Sequence, residues 1–201
     1  MKKHILLPAL FLSFSTVIAA CGSDAGTNSA NEQAPAIQEG AAEEENKKDA
    51  ASYPVKLNET VTLDEVIYSD DGLKGFKAKL KLTVTEVTRG QEAYEQLQQV
   101  NKSNKPAPEG FEWVLVKVKG KLAEAETEEF PYWLSAMNFK FVSEDGDIYN
   151  QEASAAVPNE LDAELFKGME EEGYFADLIE IGDEVTLKYE TLDARVFFQT
   201  Q

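Results

Sequence analysis

Period-two alternation is the feature that most narrows what this chain can become. In the segment 76–85, Phe76, Ala78, Leu80, Leu82 and Val84 share one parity, and Lys77, Lys79, Lys81, Thr83 and Thr85 share the other. Successive side chains of an extended chain point to opposite faces, so this is a strand with one buried and one wet face. Segment 113–122 repeats the pattern, with Val114, Val116 and Val118 inward and Lys117, Lys119 and Lys121 outward. Further strands are predicted over 61–68, 136–143, 148–152, 174–181, 185–190 and 195–200, from runs of β-branched and aromatic residues. Asp71-Gly72, Asp145-Gly146 and Gly182-Asp183 fall between runs, where the backbone needs residues tolerant of positive φ. Glu144-Asp145-Gly146-Asp147 is the strongest hairpin signal.

Helix formers predict a helix over 91–100, and Pro158-Asn159 opens a second helical turn over 159–166. Segment 104–110, with Pro106 and Pro108, is a loop. Seven or eight short strands with one or two short helical insertions predict a mostly β chain folded as a β-sandwich over 53–201.

The N-terminal 52 residues read differently. Lys2 and Lys3 precede a mostly apolar stretch over 5–18, then Ala19, Ala20 and Cys21. That is a secretory signal in three parts, and its apolar run is shorter than the roughly 20 residues needed to span a bilayer. Ile18-Ala19-Ala20-Cys21 resembles the end of a bacterial lipoprotein signal. The resemblance implies a diacylglyceryl group on the Cys21 thiol and cleavage just before it, so 1–20 is the expected leader and the membrane the first expected partner. An anchor of two or more acyl chains holds firmly where one holds only marginally. From residue 22 to 52 the chain is dominated by Gly, Ala, Ser, Asn, Gln, Glu and Lys, the composition of a disordered acidic tether. The expected location is the outer face of the cytoplasmic membrane, in a single-membrane, Gram-positive envelope.

Such processing removes His4, the only histidine, and consumes Cys21, the only cysteine. Imidazole-based triads, thiol nucleophiles, disulfides and ordinary zinc sites are then excluded. The full chain carries 19 basic and 37 acidic residues; loss of Lys2 and Lys3 leaves 17 against 37, a formal charge of −20. Nucleic acid is therefore not an expected partner. No catalytic residue, metal ligand or cofactor is expected.

Three further segments add a family resemblance: Pro108-Glu109-Gly110-Phe111-Glu112-Trp113-Val114-Leu115-Val116-Lys117-Val118, Phe141-Val142-Ser143-Glu144-Asp145-Gly146-Asp147-Ile148-Tyr149, and Lys167-Gly168-Met169-Glu170-Glu171-Glu172-Gly173-Tyr174-Phe175. With the closing patterns Ile181-Gly182-Asp183-Glu184-Val185-Thr186-Leu187-Lys188-Tyr189 and Val196-Phe197-Phe198, they resemble a domain-of-unknown-function family of small bacterial lipoproteins. That resemblance implies an immunoglobulin-like sandwich of the telokin-like type. The chain departs from it at Ile179-Glu180-Ile181, where a proline is expected. The family offers no active-site residues to carry over, and a fold shared by many functions implies architecture only.

Candidate binding residues follow from chemistry. Lys77, Lys79 and Lys81 share one wet face and Lys117, Lys119 and Lys121 another; Lys140 and Lys188 also occupy outward positions. If both stripes lie on one sheet they form a cationic patch for an anionic cell-wall polymer, although lysine is also a common guard of strand surfaces. Trp113 reads as core, whereas Trp133, after Phe130-Pro131-Tyr132, is the candidate exposed aromatic. Asp70-Asp71, Asp145 with Asp147, and Glu170-Glu171-Glu172 lack the spacing of a calcium loop and read as turns and solvated charge. The expectation is a membrane-anchored, noncatalytic binding module for an anionic envelope polymer. The alternatives are an accessory subunit of a membrane protein complex, or a glycan hydrolase working through paired carboxylates.

Overall fold

A computed structural model describes residues 53–150 and 154–201. The expected leader, Cys21 and the tether lie outside them. The alternating segments form β1 (Thr60–Tyr68), β2 (Gly75–Arg89) and β3 (Phe111–Ala125), and α1 (Gly90–Val100) joins β2 to β3. They are followed by β4 (Tyr132–Ser135), β5 (Phe139–Val142), β6 (Asp162–Leu165), β7 (Glu170–Glu180), β8 (Thr186–Glu190) and β9 (Arg195–Gln199). One antiparallel sheet has the order β1-β2-β3-β7; a three-stranded sheet β5-β8-β9 and a pair β4-β6 complete the strands. The chain is an immunoglobulin-like β-sandwich with one helical insertion. No helix among the described residues is long and apolar enough to cross a membrane.

The interior is built from the parity set in the sequence. Leu80, Leu82 and Val84 of β2 and Val114, Val116, Val118 and Leu122 of β3 share one buried cluster with Phe139, Phe141, Leu187, Tyr189, Val196 and Phe198. Full burial stabilises each such aliphatic or aromatic side chain by about 1.5–3 kcal/mol. Gly120 lets Leu134 of β4 reach in: a Cβ there would stand 2.2 Å from a Leu134 methyl carbon. Phe139 stacks on Phe175 of the larger sheet, with centroids 5.2 Å apart.

A second, smaller cluster forms on the outer face of the larger sheet. Ala93 and Leu97, one helical turn apart, bury against Trp113, Leu115 and Leu178. Trp113 is therefore core, but core under α1, on the same face as the lysines. Its indole Nε1 donates to the Lys105 carbonyl at 3.0 Å. Asn104 closes the helix end by donating to the Leu97 carbonyl at 2.7 Å.

Four expectations are corrected. The predicted helical turn at 159–166 is strand β6, paired with β4; both have four residues, too few to show a period. The predicted strand 136–143 is broken by a 3-10 turn at Ala136–Asn138, where Asn138 Oδ1 accepts the Ser135 N–H at 3.0 Å before β5 begins. The predicted strand from 148 reduces to a single bridge, Val142 to Ile148, and its residues 151 and 152 lie outside the described residues. Lys188 keeps the outward parity, opposite in face to Leu187 and Tyr189, but is covered rather than wet, 9% exposed with its ammonium 2.7 Å from Glu190.

Candidate functional site

Register decides what the lysine stripes become. β2 and β3 are neighbours, with Lys81 opposite Lys121, Thr83 opposite Lys119 and Glu86 opposite Lys117. All six lysines thus lie on one outer face of one sheet. The outer strands of that sheet bring carboxylates to meet them: Asp64 of β1 lies 3.2 Å from Lys79, and from β7 Glu172 lies 2.7 Å from Lys117 and Glu170 3.5 Å from Lys119. The Glu172 hydrogen bond raises the Lys117 pKa, and Tyr174 offers the same ammonium its ring at 5.5 Å. Among the described residues Lys77, Lys81 and Lys121 make no ion pair. The face is a mixed-charge lattice whose unneutralised part is the Lys81–Lys121 pair and the outlying Lys77.

The acidic turns have structural work. Asp71 accepts from Ser69 Oγ at 2.6 Å and the Leu73 N–H at 3.0 Å, closing the β1–β2 turn, and these bonds hold its pKa below the usual value. Asp147 closes the hairpin after β5, its carbonyl accepting the Ser143 N–H at 2.9 Å. Among the described residues no group of three acidic, His or Cys side chains is placed to hold a metal ion.

A different site opens at the free side of β1. A cleft of about 540 Å³ is lined by Glu65, Val66, Ile67, Tyr68 and Asp70 of β1 and its turn, 130–133, Glu164, Phe166, and 191–193 from the β8–β9 turn. Trp133 stands on its wall 58% exposed, oriented by a 2.7 Å bond from its Nε1 to Asp162 of the paired strand β6. Tyr68, Phe166 and Leu192 also present exposed apolar surface to it, Leu192 at 92%. Asp70, Glu164, Asp193 and Glu65 line it too, and among the described residues no basic side chain does.

Glu65 forms the floor. Strand parity sends Leu63, Glu65 and Ile67 inward, so a carboxylate 3% exposed occupies a core position. Burying a charge is costly unless hydrogen bonds replace its water. Here Tyr189 Oη donates at 2.9 Å and Thr191 Oγ1 reaches the carboxylate at 3.0 Å. Because the single hydroxyl hydrogen of Tyr189 is directed at Glu65, Tyr132 donates to the Tyr189 oxygen. Burial pushes the Glu65 carboxyl above the usual range, and the Tyr189 and Thr191 bonds oppose the shift. Burial also raises Tyr132 and Tyr189, so both stay protonated hydroxyls.

Sequence reading reached Trp133 but missed Glu65, Tyr189, Thr191 and Asp193. The available signal was one acidic residue at an inward position between Leu63 and Ile67; the residues that meet it lie more than 120 positions away.

The fold and cleft together define an immunoglobulin-like β-sandwich with an acidic, aromatic-walled groove at one edge. No protein-family model matches the chain, and no curated protein matches it. Among solved structures, the yjhA protein from Bacillus subtilis is similar at 12% identity and a TM-score of 0.45, over 73% of this chain and 99% of that one. MPT63, a secreted protein from Mycobacterium tuberculosis, is similar at 10% identity and a TM-score of 0.44, over 74% of this chain and 99% of that one.

Proposed function

We propose that this chain is an extracytoplasmic lipoprotein, anchored through Cys21 to the outer face of the cytoplasmic membrane, whose sandwich is a noncatalytic binding module for an envelope protein. The Lys2–Lys3 leader, the Ile18-Ala19-Ala20-Cys21 site and the resemblance to small lipoproteins with a telokin-like sandwich support the anchoring. The observation that carries the binding role is the β1 cleft. It combines exposed aromatic and apolar surface with carboxylates and, among the described residues, has no basic side chain, a chemistry suited to protein contact. Its one enclosed carboxylate is engaged by Tyr189 and Thr191, which supports a binding role over acid–base turnover.

The test is a photo-crosslinking side chain placed at Leu192, on the cleft rim, or at Lys119, on the lysine face, in the anchored chain in intact cells. A discrete protein adduct from Leu192, lost with Trp133→Ala and absent from Lys119, is the expected result. Adducts from Lys119 alone would remove the cleft from the account. Loss of acylation and of membrane retention in Cys21→Ser tests the anchor.

The unpaired Lys81–Lys121 couple favours a second reading, an anionic cell-wall polymer bound at the lysine face. That reading requires salt-sensitive co-sedimentation with purified cell walls, abolished by stripping their anionic polymers and by Lys81→Glu with Lys121→Glu.

A further inference from the structure

Three of the four edges of the two larger sheets are closed by the chain itself. Val55 covers β9, donating to the Phe197 carbonyl and accepting from the Gln199 N–H, each at 2.8 Å. Ile148 bridges Val142, and the Tyr149 N–H reaches the Phe141 carbonyl at 3.0 Å, on the edge of β5. Segment 159–161 covers β7: the Leu161 N–H donates to the Tyr174 carbonyl and the Tyr174 N–H to the Asn159 carbonyl, each at 2.9 Å. That closure is tight enough to require glycine, since a Cβ at Gly173 would stand 2.6 Å from the Leu161 Cα.

The fourth edge is β1, and no described segment covers it. The Ser69 N–H donates to the Lys74 carbonyl at 2.9 Å, and these two residues fall in the same register as the β1–β2 pairs. Antiparallel alternation then commits Val61, Leu63, Glu65 and Ile67 to β2 and turns the backbone N–H and C=O groups of Thr62, Asp64, Val66 and Tyr68 outward. The nine-residue strand pairs with β2 without a register break, and it contains no proline or lysine. Bulges, proline and lysine are common devices that blunt a sheet edge, and the inward charge of Glu65, another such device, is taken up within the fold by Tyr189 and Thr191. The cleft with Trp133, Phe166 and Leu192 opens beside its second half.

We infer that the free edge of β1 receives an extended, basic segment of a partner protein, which adds a fifth strand to the larger sheet and sets alternate side chains into the Trp133 cleft. This rests on the cleft being the binding site and specifies how it binds. In strand addition, main-chain hydrogen bonds supply attachment and pockets for alternate side chains supply selectivity. Charge selects the partner: Asp70, Glu164 and Asp193 line the cleft, and among the described residues no basic side chain lines it. Charge also disfavours a second copy, because antiparallel self-pairing centred on β1 would bring Asp64 directly against its counterpart.

The probe is a pool of synthetic peptides as long as β1, with Lys at every odd position and Phe, Tyr, Leu or Val between, titrated against the full-length chain in detergent and followed by the fluorescence anisotropy of a dye on the peptide. Saturable binding is expected, weakened at least tenfold when Glu replaces Lys. N-methylation of one alternate set of peptide amides should abolish binding while methylation of the other set leaves it. Thr62→Pro removes an outward N–H that β2 does not use, so it should keep the thermal melt and lose the peptide. Binding indifferent to both methylation sets, yet lost in Trp133→Ala, overturns strand addition and leaves the cleft as the site. Methylation-sensitive binding indifferent to Trp133→Ala keeps strand addition and removes the cleft. No binding by any member of the pool overturns the inference outright.

Discussion

The outer face of the larger sheet and the cleft beside β1 are both rich in charge, and they handle it in opposite ways. On the face, three of the six lysines of the two central strands meet carboxylates supplied by β1 and β7 within 3.5 Å. In the cleft, Asp70, Glu164 and Asp193 have aromatic and aliphatic neighbours and, among the described residues, no basic residue in the lining. The lesson is that a stripe along one strand does not make a patch; the neighbouring strands decide. A site keeps an outward field only where the partner charges are missing, and here that place is acidic although the visible stripes are basic.

The sharpest way to break the comparison is to remove one recognition element from each region. Trp133→Ala should weaken capture of the envelope partner about 30-fold, the cost of truncating an interface hot spot worth about 2 kcal/mol. Lys81→Glu with Lys121→Glu should leave that capture within about twofold. Binding measured on the anchored chain checks both. The reverse pattern would make the lysine face the functional region.

How far the sequence foretold this division depends on the range over which each signal acts. β2 and β3 were legible because each runs 15 residues and shows its period plainly, while β1 was legible from its β-branched and aromatic run and α1 from its helix formers. β4 and β6 were not, since four residues carry no period and Asp162–Leu165 follows a Pro-Asn pair that reads as a helix start. Lys81 and Lys121 could be assigned a face, but the shared sheet required the β2–β3 register, and the neutralising Glu170 and Glu172 required β7 to be the next strand. Trp133 was visible as an aromatic in a turn-like context. The Glu65 floor was not, because its partners Tyr189 and Thr191 arrive from the opposite end of the domain.

That floor provides the next largest effect. Glu65→Ala removes the acceptor of a buried tyrosine hydroxyl and opens space beneath the cleft, so a loss of about 1–3 kcal/mol in unfolding free energy is expected by denaturant titration. Glu65→Gln keeps an acceptor and isolates the charge. Because burial raises the folded-state pKa above the unfolded one, the folded chain binds more protons between those two values, and wild-type stability falls as pH rises through that interval. Above the folded pKa the cost is constant. The difference between wild type and Glu65→Gln should therefore shift in favour of wild type as pH falls from neutral towards the unfolded carboxylate value. A pH-independent difference would show that Glu65 titrates alike in both states.

The smallest effect bears on the lysine face alone. Lys81 and Lys121 are directly opposite on adjacent strands, and among the described residues neither has an ion-pair partner. Like charges in that position destabilise a sheet, while opposite charges contribute about 0.2–1 kcal/mol. Lys81→Glu alone converts the repulsive pair into an attractive one, so it should stabilise the fold slightly, raising Tm by about 1–3 °C at low ionic strength. The gain should shrink in salt, because exposed charges are screened over about 10 Å at 0.1 M. If the variant is more stable and still partitions with cell walls as the wild type does, the repulsive pair has no polymer-binding role. If it is more stable and loses that partitioning, the chain keeps a costly cation pair for an anionic ligand, and the lysine face regains a function beside the cleft.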